Sequence, residues 1–212
     1  MDISKREQLI VQKAIEYFSQ HGFECGTRDL ARHIGVTQSL LYKYFPNKQA
    51  LVDRVYQEVY VARWNPLWEQ QLRDRTVPIE ARLKRYYLDY AKSMLKKDWV
   101  RILIFAGLKQ EGINNRLFEL LRERIFKTVA EEVRHAYQLA EPADADDAEM
   151  DVELVWALHA SIFYLGMRKW VYKSGLPKDV NALIETLIEG FIGAMKQRRR
   201  ADGLATNEQG KK

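Results

Sequence analysis

Apolar residues recur at steps of three and four along most of the chain, and this period is the strongest constraint on the fold. Strict alternation of the strand kind is hard to find, and the five prolines mostly lie between the periodic segments. In the first segment, Ser4 to His21, the repeat predicts one buried helix face, formed by Ile10, Val11, Ala14, Ile15 and Phe18. We therefore predict an all-α protein.

Turn and capping residues divide the N-terminal region into short helices. Gly22 is expected to end the first helix. Thr27 is a suitable N-cap for a second helix, Thr27 to Ile34, which Gly35 ends in a left-handed conformation. Thr37 then caps a third helix, Gln38 to about Tyr44, only two residues later.

A fourth helix and a larger helical region follow. Asn47 is expected to cap the fourth helix, Lys48 to Arg63, whose apolar stripe contains Leu51, Val52, Val55, Tyr56 and Val59. The later helices are predicted near Ile79 to Lys97, Trp99 to Lys109, Asn114 to Leu139, Asp151 to Ser174 and Lys178 to Arg199. Glu141 to Glu149 is predicted to be a solvated loop. We predict an N-terminal domain over 1–48, a larger helical domain over 49–200, and a disordered tail over 201–212.

Composition narrows the class of protein. The net charge of +5 and the pI of about 9.2 favour an anionic partner only weakly, because 34 basic residues nearly balance 29 acidic ones. A single cysteine, Cys25, excludes an intramolecular disulfide and a thiolate zinc cluster. The N-terminus lacks the apolar block of a signal peptide, and the longest apolar stretch, Leu154 to Met167, is shorter than the roughly 20 residues of a membrane helix. We expect a cytoplasmic protein without a membrane partner or a cofactor.

The second and third helices, joined by a tight turn with a glycine, form a helix-turn-helix pattern. In such a motif the second helix enters the major groove of DNA. Leu41 and Phe45 lie four residues apart and are expected to pack into the core. The side available to DNA is then formed by Gln38, Ser39, Tyr42 and Lys43.

Side-chain chemistry suggests which residues read bases and which hold phosphates. Gln38 pairs well with an adenine edge, Lys43 with guanine acceptors or phosphate, and Leu40 with a thymine methyl. Hydroxyl groups and cations suit phosphate oxygens, and Arg28 suits either role. The predicted DNA contacts are Thr27, Arg28, Thr37, Gln38, Ser39, Leu40, Tyr42, Lys43, Tyr44 and Lys48. Some of these residues also have a structural alternative. Thr27 and Thr37 could only cap helices, Tyr42 and Tyr44 could fill the core, and Lys48 could be an ordinary solvated lysine.

Residues 22–52 read GFECGTRDLARHIGVTQSLLYKYFPNKQALV, and this run resembles the signature of the TetR family of transcriptional regulators. The matching positions are Phe18, Gly22, Phe23, Thr27, Leu30, Ala31, Gly35, Val36, Leu41, Tyr42, Phe45, Asn47, Lys48 and Leu51. Ser39 departs from the family, which most often has glycine there, and Leu40 stands where a small or polar residue is common. The resemblance implies a ligand-responsive regulator, usually a repressor, that binds a pseudo-palindromic DNA operator as a homodimer. It also implies that residues 1–48 are the DNA-binding domain and that residues 49–200 are the effector-binding and dimerisation domain.

The C-terminal two-thirds supplies candidates for dimerisation. The segment Val152 to Val171 is apolar on nearly all helix faces, and the last helix carries a stripe with two glycines that permit close approach of a second backbone. Two such helices from each subunit would form a four-helix bundle, and the alternative is an intramolecular core. The predicted interface contains Trp156, Leu183, Leu187, Gly190, Phe191 and Ala194.

The middle helices supply candidates for binding a small-molecule effector, which the resemblance implies without identifying it. Aromatic residues with a few polar anchors are typical of ligand pockets, although aromatic residues at helical spacing more often fill the core. The candidates are Trp64, Trp68, Tyr86, Tyr90, Trp99, Arg101, Phe105, His159 and Phe163.

Two other classes of function compete with a regulator. A di-iron enzyme needs paired Glu-x-x-His motifs, but only Glu132 to His135 fits, and a single copy on a charged helix is expected to be solvated. A basic module that binds membranes or partners is suggested by Lys196, Arg198, Arg199 and Arg200, although a basic helix end that complements the helix dipole explains the same run. We therefore expect neither an enzyme nor a metal site.

Overall fold

The computed structural model describes residues 3–109 and 113–209, and these residues form helices without any strand. The helices are α1 (Ile3–His21), α2 (Thr27–Ile34), α3 (Gln38–Tyr44), α4 (Lys48–Tyr56), α5 (Trp68–Arg73), α6 (Ile79–Met94), α7 (Lys97–Lys109), α8 (Ile113–Leu121), α9 (Lys127–Tyr137), α10 (Ala145–Trp170) and α11 (Val180–Gln209). A π-helical segment, Gln57–Val61, follows α4, and a second one, Arg122–Phe126, joins α8 to α9. The predicted all-α fold is confirmed.

The predicted stops and caps of the N-terminal helices are largely confirmed. Gly22 and Gly35 have left-handed backbones, with φ of +72° and +84° respectively, after α1 and α2. The Thr37 hydroxyl accepts a hydrogen bond from the amide of Leu40 at 3.2 Å, which caps α3. Asn47 caps α4 in the same way, accepting from the amide of Ala50.

The predicted cap of α2 is wrong by one residue. Gly26, with φ −68° and ψ 143°, has the extended backbone of an N-cap and makes no side-chain capping bond. Thr27 is the first residue of α2, and its hydroxyl bonds to side chains of α3 and does not cap α2. Glycine is tolerated at this position because it leaves the first helical amides open to solvent.

Tertiary contacts divide the chain into two compact units, Met1–Trp64 with Ser93–Leu117, and Asn65–Lys92 with Phe118–Lys212. In the first unit α1 packs against α2, α4 and α7. Its buried residues include Ile10, Ala14, Phe18, Leu30, Leu41, Leu51 and Val55. This division of contacts places α4 and α7 with the helix-turn-helix, whereas the sequence prediction ended the DNA-binding domain at residue 48. The functional boundary stays a prediction.

In the second unit α10 packs against α11 and α9, and α5 packs against α9. Buried side chains include Trp68, Leu83, Val129, Ile162 and Ile184. Glu132 is also buried, and its carboxylate accepts hydrogen bonds from Arg75 at 2.9 Å and Arg82 at 2.8 Å. The expectation that Glu132 is solvated is therefore wrong, because two guanidinium groups hold its charge inside the unit.

Several predicted helix bounds need correction. Helix α5 was not predicted, because its two buried residues, Trp68 and Leu72, give too short a pattern to register as a helix. The segment predicted as one helix from Asn114 to Leu139 contains the π-helical turn and ends at Tyr137, before Gln138 with φ 51°.

The acidic stretch predicted as a loop, Glu141 to Glu149, contains the start of α10. The carboxylate of Asp144 caps this helix by accepting from the amide of Asp147 at 2.9 Å. Acidic residues in the first turn complement the positive end of the helix dipole, so they favour a helix start here. At the other end of the chain α11 extends to Gln209, ten residues beyond the predicted end at Arg199.

Membrane-spanning helices and clusters of metal-binding side chains are both absent from the described residues. No helix there is both long and apolar enough to cross a membrane. Within the same residues, no group of three or more His, Cys, Asp or Glu side chains is placed to hold a metal ion.

Candidate nucleic-acid interface

The surface built on α2 and α3 depends on a buried face beneath it. Leu30 and Ala31 of α2 and Leu41 of α3 are buried, as is Phe45, which directly follows α3. The predicted core positions of Leu41 and Phe45 are confirmed. Of the other α3 side chains, Ser39, Tyr42 and Lys43 are exposed, Tyr42 to 41%. Gln38 is half-buried.

Three predicted DNA contacts form a hydrogen-bonded group across α2 and α3. The hydroxyl groups of Thr27 and Tyr42 are 3.0 Å apart, and the side-chain amide of Gln38 donates to the Thr27 hydroxyl at 3.3 Å. Hydrogen bonds with Thr27 and then Gln38 lower the pKa of the Tyr42 phenol below its ordinary value. We call this set the Thr27–Gln38–Tyr42 network. It orients three polar side chains before any ligand arrives.

The other predicted contacts on α3 surround this network. Ser39 is exposed, and its hydroxyl lies 3.1 Å from that of Thr37. Lys43 is exposed, whereas Leu40 and Tyr44 are half-buried. The amino end of α3 therefore presents hydroxyl groups, and its C-terminal half presents a phenol and an ammonium group.

Positive charge is also present on α2. Arg28 and Arg32 are both exposed, and Asp29 lies 3.3 Å from Arg32 in an exposed ion pair. His33, to which we assigned no role, packs its ring against Tyr17 with a centroid separation of 4.9 Å.

Lys48 has a contact that the sequence did not reveal. Its ammonium group donates to the main-chain carbonyl of Phe23, and to that of Cys25 at 3.0 Å. These carbonyls lie in the connection between α1 and α2, so Lys48 ties the start of α4 to that connection. The predicted phosphate contact of Lys48 stays a prediction, and a structural role stands beside it.

Four of the predicted effector-binding residues lie in the first unit. Trp99 is buried with its ring 5.5 Å from that of Tyr60. Arg101 donates to the carbonyls of Ser19 and Gln20 at the end of α1, and its guanidinium carbon lies 5.5 Å from the Phe105 ring centroid. The fourth residue is Trp64, which is half-buried.

The other five predicted effector-binding residues lie in the second unit. Trp68, Tyr86 and Tyr90 are buried there, with the Trp68 ring 5.2 Å from Tyr86 and 6.5 Å from Tyr90. His159 is buried 4.5 Å from the Tyr90 ring, and Phe163 is half-buried.

Sequence reasoning overlooked two residues beside this second group. The Tyr87 ring lies 6.2 Å from that of His159, and the Phe126 ring lies 5.0 Å from it. Tyr87 precedes Tyr90 by three residues and so lies on the same helix face, a spacing that the sequence already contained. Phe126 belongs to a π-helical turn, whose register the usual 3.6-residue period does not predict.

The predicted dimer residues divide between buried and exposed positions. On α11, Leu183 and Leu187 are half-buried, Gly190 and Ala194 are exposed, and Phe191 is buried. An added Cβ at Gly190 or Gly193 would meet nothing within 4 Å. Trp156 on α10 is half-buried and packs its ring 5.1 Å from Phe126.

Two short helices, α2 and α3, that bury one face each and expose the other are typical of a helix-turn-helix regulator of transcription that binds DNA. The family model described as bacterial regulatory proteins, tetR family, matches residues 10–55. These residues include the whole of α2 and α3. Over this N-terminal region the chain is similar to the TetR family of transcriptional regulators.

Similar proteins extend the likeness beyond the N-terminal region. The chain is 28% identical over 172 residues to the HTH-type transcriptional regulator SrpR of Pseudomonas putida, covering 79% of this chain and 78% of that one. A TetR-like regulator from Rhodococcus sp. RHA1 has a TM-score of 0.67 at 17% identity, covering 89% of this chain and 96% of that one. The fatty acid degradation regulator FadR of Bacillus halodurans has a TM-score of 0.66 at 15% identity, covering 91% and 97% respectively. The two structural matches support the helical fold along most of the chain.

Proposed function

We propose that this protein is a homodimeric repressor that binds a pseudo-palindromic operator and leaves it when a small molecule binds the C-terminal helical region. The observation that carries the proposal is the outward face of α3. Buried Leu41 and Phe45 anchor the opposite face of α3 in the core. The Thr27–Gln38–Tyr42 network holds polar groups on the outward face. Such a helix suits the major groove in shape and in hydrogen-bonding capacity.

Base reading and phosphate binding are assigned to different parts of this face. Gln38 offers an amide that can donate to and accept from an adenine edge, and Lys43 is free of the core to reach guanine acceptors or phosphate. The hydroxyl groups of Thr27, Thr37 and Tyr42 suit phosphate oxygens. Arg28 adds positive charge on the adjacent helix.

Dimerisation is supported by exposed small and apolar side chains on two neighbouring helices. On α11 the stripe with Leu183, Leu187, Gly190 and Ala194 is half-buried or exposed, whereas Ile184, Ile188, Ile192 and Met195 are buried within the unit. On the packed neighbour α10, Ala157, Ala160, Ser161 and Tyr164 are exposed. Because both helices combine small residues with larger apolar ones, a second copy can pack closely against them.

Such a dimer places two copies of α3 on successive major grooves, which are about 34 to 36 Å apart. An effector releases the operator if its binding favours a conformation with a different spacing of the two α3 helices. The free energy that the ligand gains by binding that conformation better sets how far the equilibrium moves.

The experiment that tests the proposal is selection of binding sites from random duplex DNA by the purified full-length protein at two salt concentrations. A pseudo-palindromic consensus, with half-sites one helical turn apart, is the expected result. Enrichment of a single half-site would contradict dimeric binding, and absence of any enrichment would contradict operator recognition. The affinity for the consensus should fall steeply with salt, because phosphate contacts release counterions.

A further inference from the structure

A group of buried aromatic side chains in the second unit has features that its packing role does not explain. We define the buried aromatic cluster as Tyr86, Tyr87, Tyr90, Phe126 and His159. Ring centroids are 4.8 Å apart between Tyr86 and Tyr87, 4.5 Å between Tyr90 and His159, and 5.0 Å between Phe126 and His159. The cluster joins α6, α10 and the π-helical turn Arg122–Phe126, and turns of this kind occur often at functional sites.

Three polar atoms of the cluster, on Tyr86, Tyr87 and His159, lack partners within the described part of the chain. Among the described residues, Tyr87 Oη and His159 Nδ1 accept or donate no hydrogen bond, and the same holds for Tyr86 Oη. Tyr87 has no exposed surface and His159 only 7%. An unpaired polar group in such a place costs about 1 to 3 kcal/mol, so buried polar groups nearly always have partners. A core that needed only packing is satisfied by phenylalanine or leucine at these positions.

The cluster is electrically neutral. Burial lowers the pKa of His159 to about 3, so its imidazole is uncharged near neutral pH. Burial also raises the pKa of Tyr87 well above its ordinary value, so the phenol keeps its proton. The carboxylate of Asp89, on the same helix, accepts from Trp68 Nε1 at 2.7 Å and from the amide of Asn65 at 3.0 Å. A charged ligand would therefore lose its hydration without gaining an opposite charge among these rings.

The walls of the cluster favour a flat, apolar ligand. Phe126 and Tyr90 present ring faces and edges to His159, with interplanar angles of 58° and 48°. Aromatic rings pair favourably in such tilted arrangements. The ring centroids are only 4.5 to 5.0 Å apart, so a ligand can enter only where one of the rings moves aside.

We propose that the buried aromatic cluster binds a small uncharged aromatic molecule that carries a hydroxyl group, with Tyr87 Oη and His159 Nδ1 bonding that hydroxyl. A hydroxyl both donates and accepts, so it satisfies a phenol and a neutral imidazole at once. The inference rests on the proposed function only in taking this molecule to be the effector. Binding itself is independent of DNA.

The test is calorimetric titration of the full-length protein without DNA, with 4-ethylphenol as the probe. Ethylbenzene has the same ring and chain without the hydroxyl, and 4-ethylbenzoate and 4-ethylbenzylammonium carry opposite charges. The expected result is that 4-ethylphenol binds at least about ten-fold more tightly than ethylbenzene, because a site with unpaired polar groups discriminates against a ligand that lacks them. Equal binding of ethylbenzene, or tighter binding of either ion, would overturn the proposal.

Substitutions within the buried aromatic cluster test whether 4-ethylphenol binds there. Tyr87→Phe removes one oxygen and keeps the ring, so the preference for 4-ethylphenol over ethylbenzene should fall to about one-third or less of its wild-type value. His159→Phe should lower it likewise. Tyr60→Phe is the matched control, because Tyr60 is also buried with an unpartnered hydroxyl but belongs to the first unit. Circular dichroism and thermal melting check that each variant folds. A preference unchanged in both cluster variants would overturn the assignment.

A parallel measurement separates this inference from the proposed function. Fluorescence anisotropy on the selected operator records whether 4-ethylphenol releases the DNA. Binding that follows the cluster variants but leaves the DNA bound supports the ligand site and contradicts the effector role. Release of DNA by other compounds, with no binding of 4-ethylphenol, supports the regulator and overturns the ligand class.

Discussion

At the scale of single residues, the polar face of α3 depends on side chains that bond to one another. Gln38 illustrates this, since its amide donates to Thr27 in the structure and must reach a base edge in the proposed complex. The hydrogen bond to Thr27 fixes the direction of the side chain. The loss of rotamer freedom on binding DNA is smaller for a side chain that is already held in place.

We expect Gln38→Ala to change sequence preference. A bidentate contact between a glutamine and adenine is worth about 1 to 3 kcal/mol, so binding to the cognate site should weaken by that amount, whereas binding to operators altered at that base pair should change little. Competition binding with operators that differ at one position measures the change. Gln12→Ala, on the exposed surface of α1, is the control. If Gln38→Ala discriminates between operators as the parent protein does, Gln38 does not read bases.

Lys48 gives a prediction about stability. We expect Lys48→Ala to lower the free energy of unfolding by about 1 to 3 kcal/mol, because the carbonyls of Phe23 and Cys25 lose their donor. Lys43→Ala removes an exposed lysine and should leave stability unchanged within about 0.5 kcal/mol. Urea denaturation measures both variants.

DNA binding by the same variant separates the two roles of Lys48. A phosphate contact predicts equal weakening for all sequences and a salt slope smaller by about one. An unchanged salt slope together with lost stability would assign Lys48 to the structure of the helix-turn-helix alone.

At the scale of helices and their connections, ion pairs fix how α6 and α9 meet. Glu132 of α9 is held by Arg82 of α6 and by Arg75, which precedes α6. Burial raises the pKa of Glu132, but the hydrogen bonds and charges of the two guanidinium groups outweigh it and leave the pKa below its ordinary value of 4.5. The carboxylate therefore stays ionised in the folded protein at neutral pH.

We expect Glu132→Gln to lower the free energy of unfolding by about 3 kcal/mol, since Arg82 would remain buried without its counter-charge. Glu131→Gln is the matched control one residue away, where an exposed pair with Arg73 at 3.9 Å contributes little. Thermal melting at neutral pH measures both. Equal melting temperatures for the two variants would contradict the structural importance of the buried pair.

The lowered pKa of Glu132 also predicts how the stability of the protein changes with pH. Because the folded-state pKa of Glu132 is lowered, its contribution to stability is complete above about pH 4.5 and is lost as the pH falls through the folded-state value. The difference in stability between the parent protein and Glu132→Gln should therefore shrink below pH 4.5. A difference that stays constant down to pH 3 would mean that this carboxylate does not titrate as described.

At the scale of the whole molecule, the proposed homodimer depends on α11. We expect Gly190→Arg to weaken dimerisation at least ten-fold, because the new side chain occupies the surface that the second copy needs. The single chain should still fold, since nothing lies within 4 Å of an added Cβ. Sedimentation velocity over a range of concentrations measures the change.

Gly175→Arg provides the control, because Gly175 is equally open but lies between α10 and α11. It should leave the dimer intact. Operator affinity should fall for Gly190→Arg and not for Gly175→Arg, since two linked helix-turn-helix motifs bind DNA more tightly than one. A dimer that persists in Gly190→Arg would contradict the predicted interface.

The sequence by itself determined the helical class, the glycine turns, the caps at Thr37 and Asn47, and the buried faces of α2 and α3. These features depend on residues within four positions of one another, and capping chemistry and helical spacing read such local relations directly. The helix-turn-helix in residues 22–52 was recognisable from the sequence for the same reason, because its signature residues lie close together in the chain.

Only the tertiary structure decided which distant residues meet. It placed Lys48 on the carbonyls of the α1–α2 connection, buried Glu132 between two arginines 50 and 57 residues away in sequence, and brought Tyr87 and Phe126 to His159. It also revealed the π-helical turns, since one extra residue per turn leaves no clear sign in an apolar pattern. Burial and ion pairing depend on packing between helices, and single-helix periodicity shows which face is buried but not what it meets.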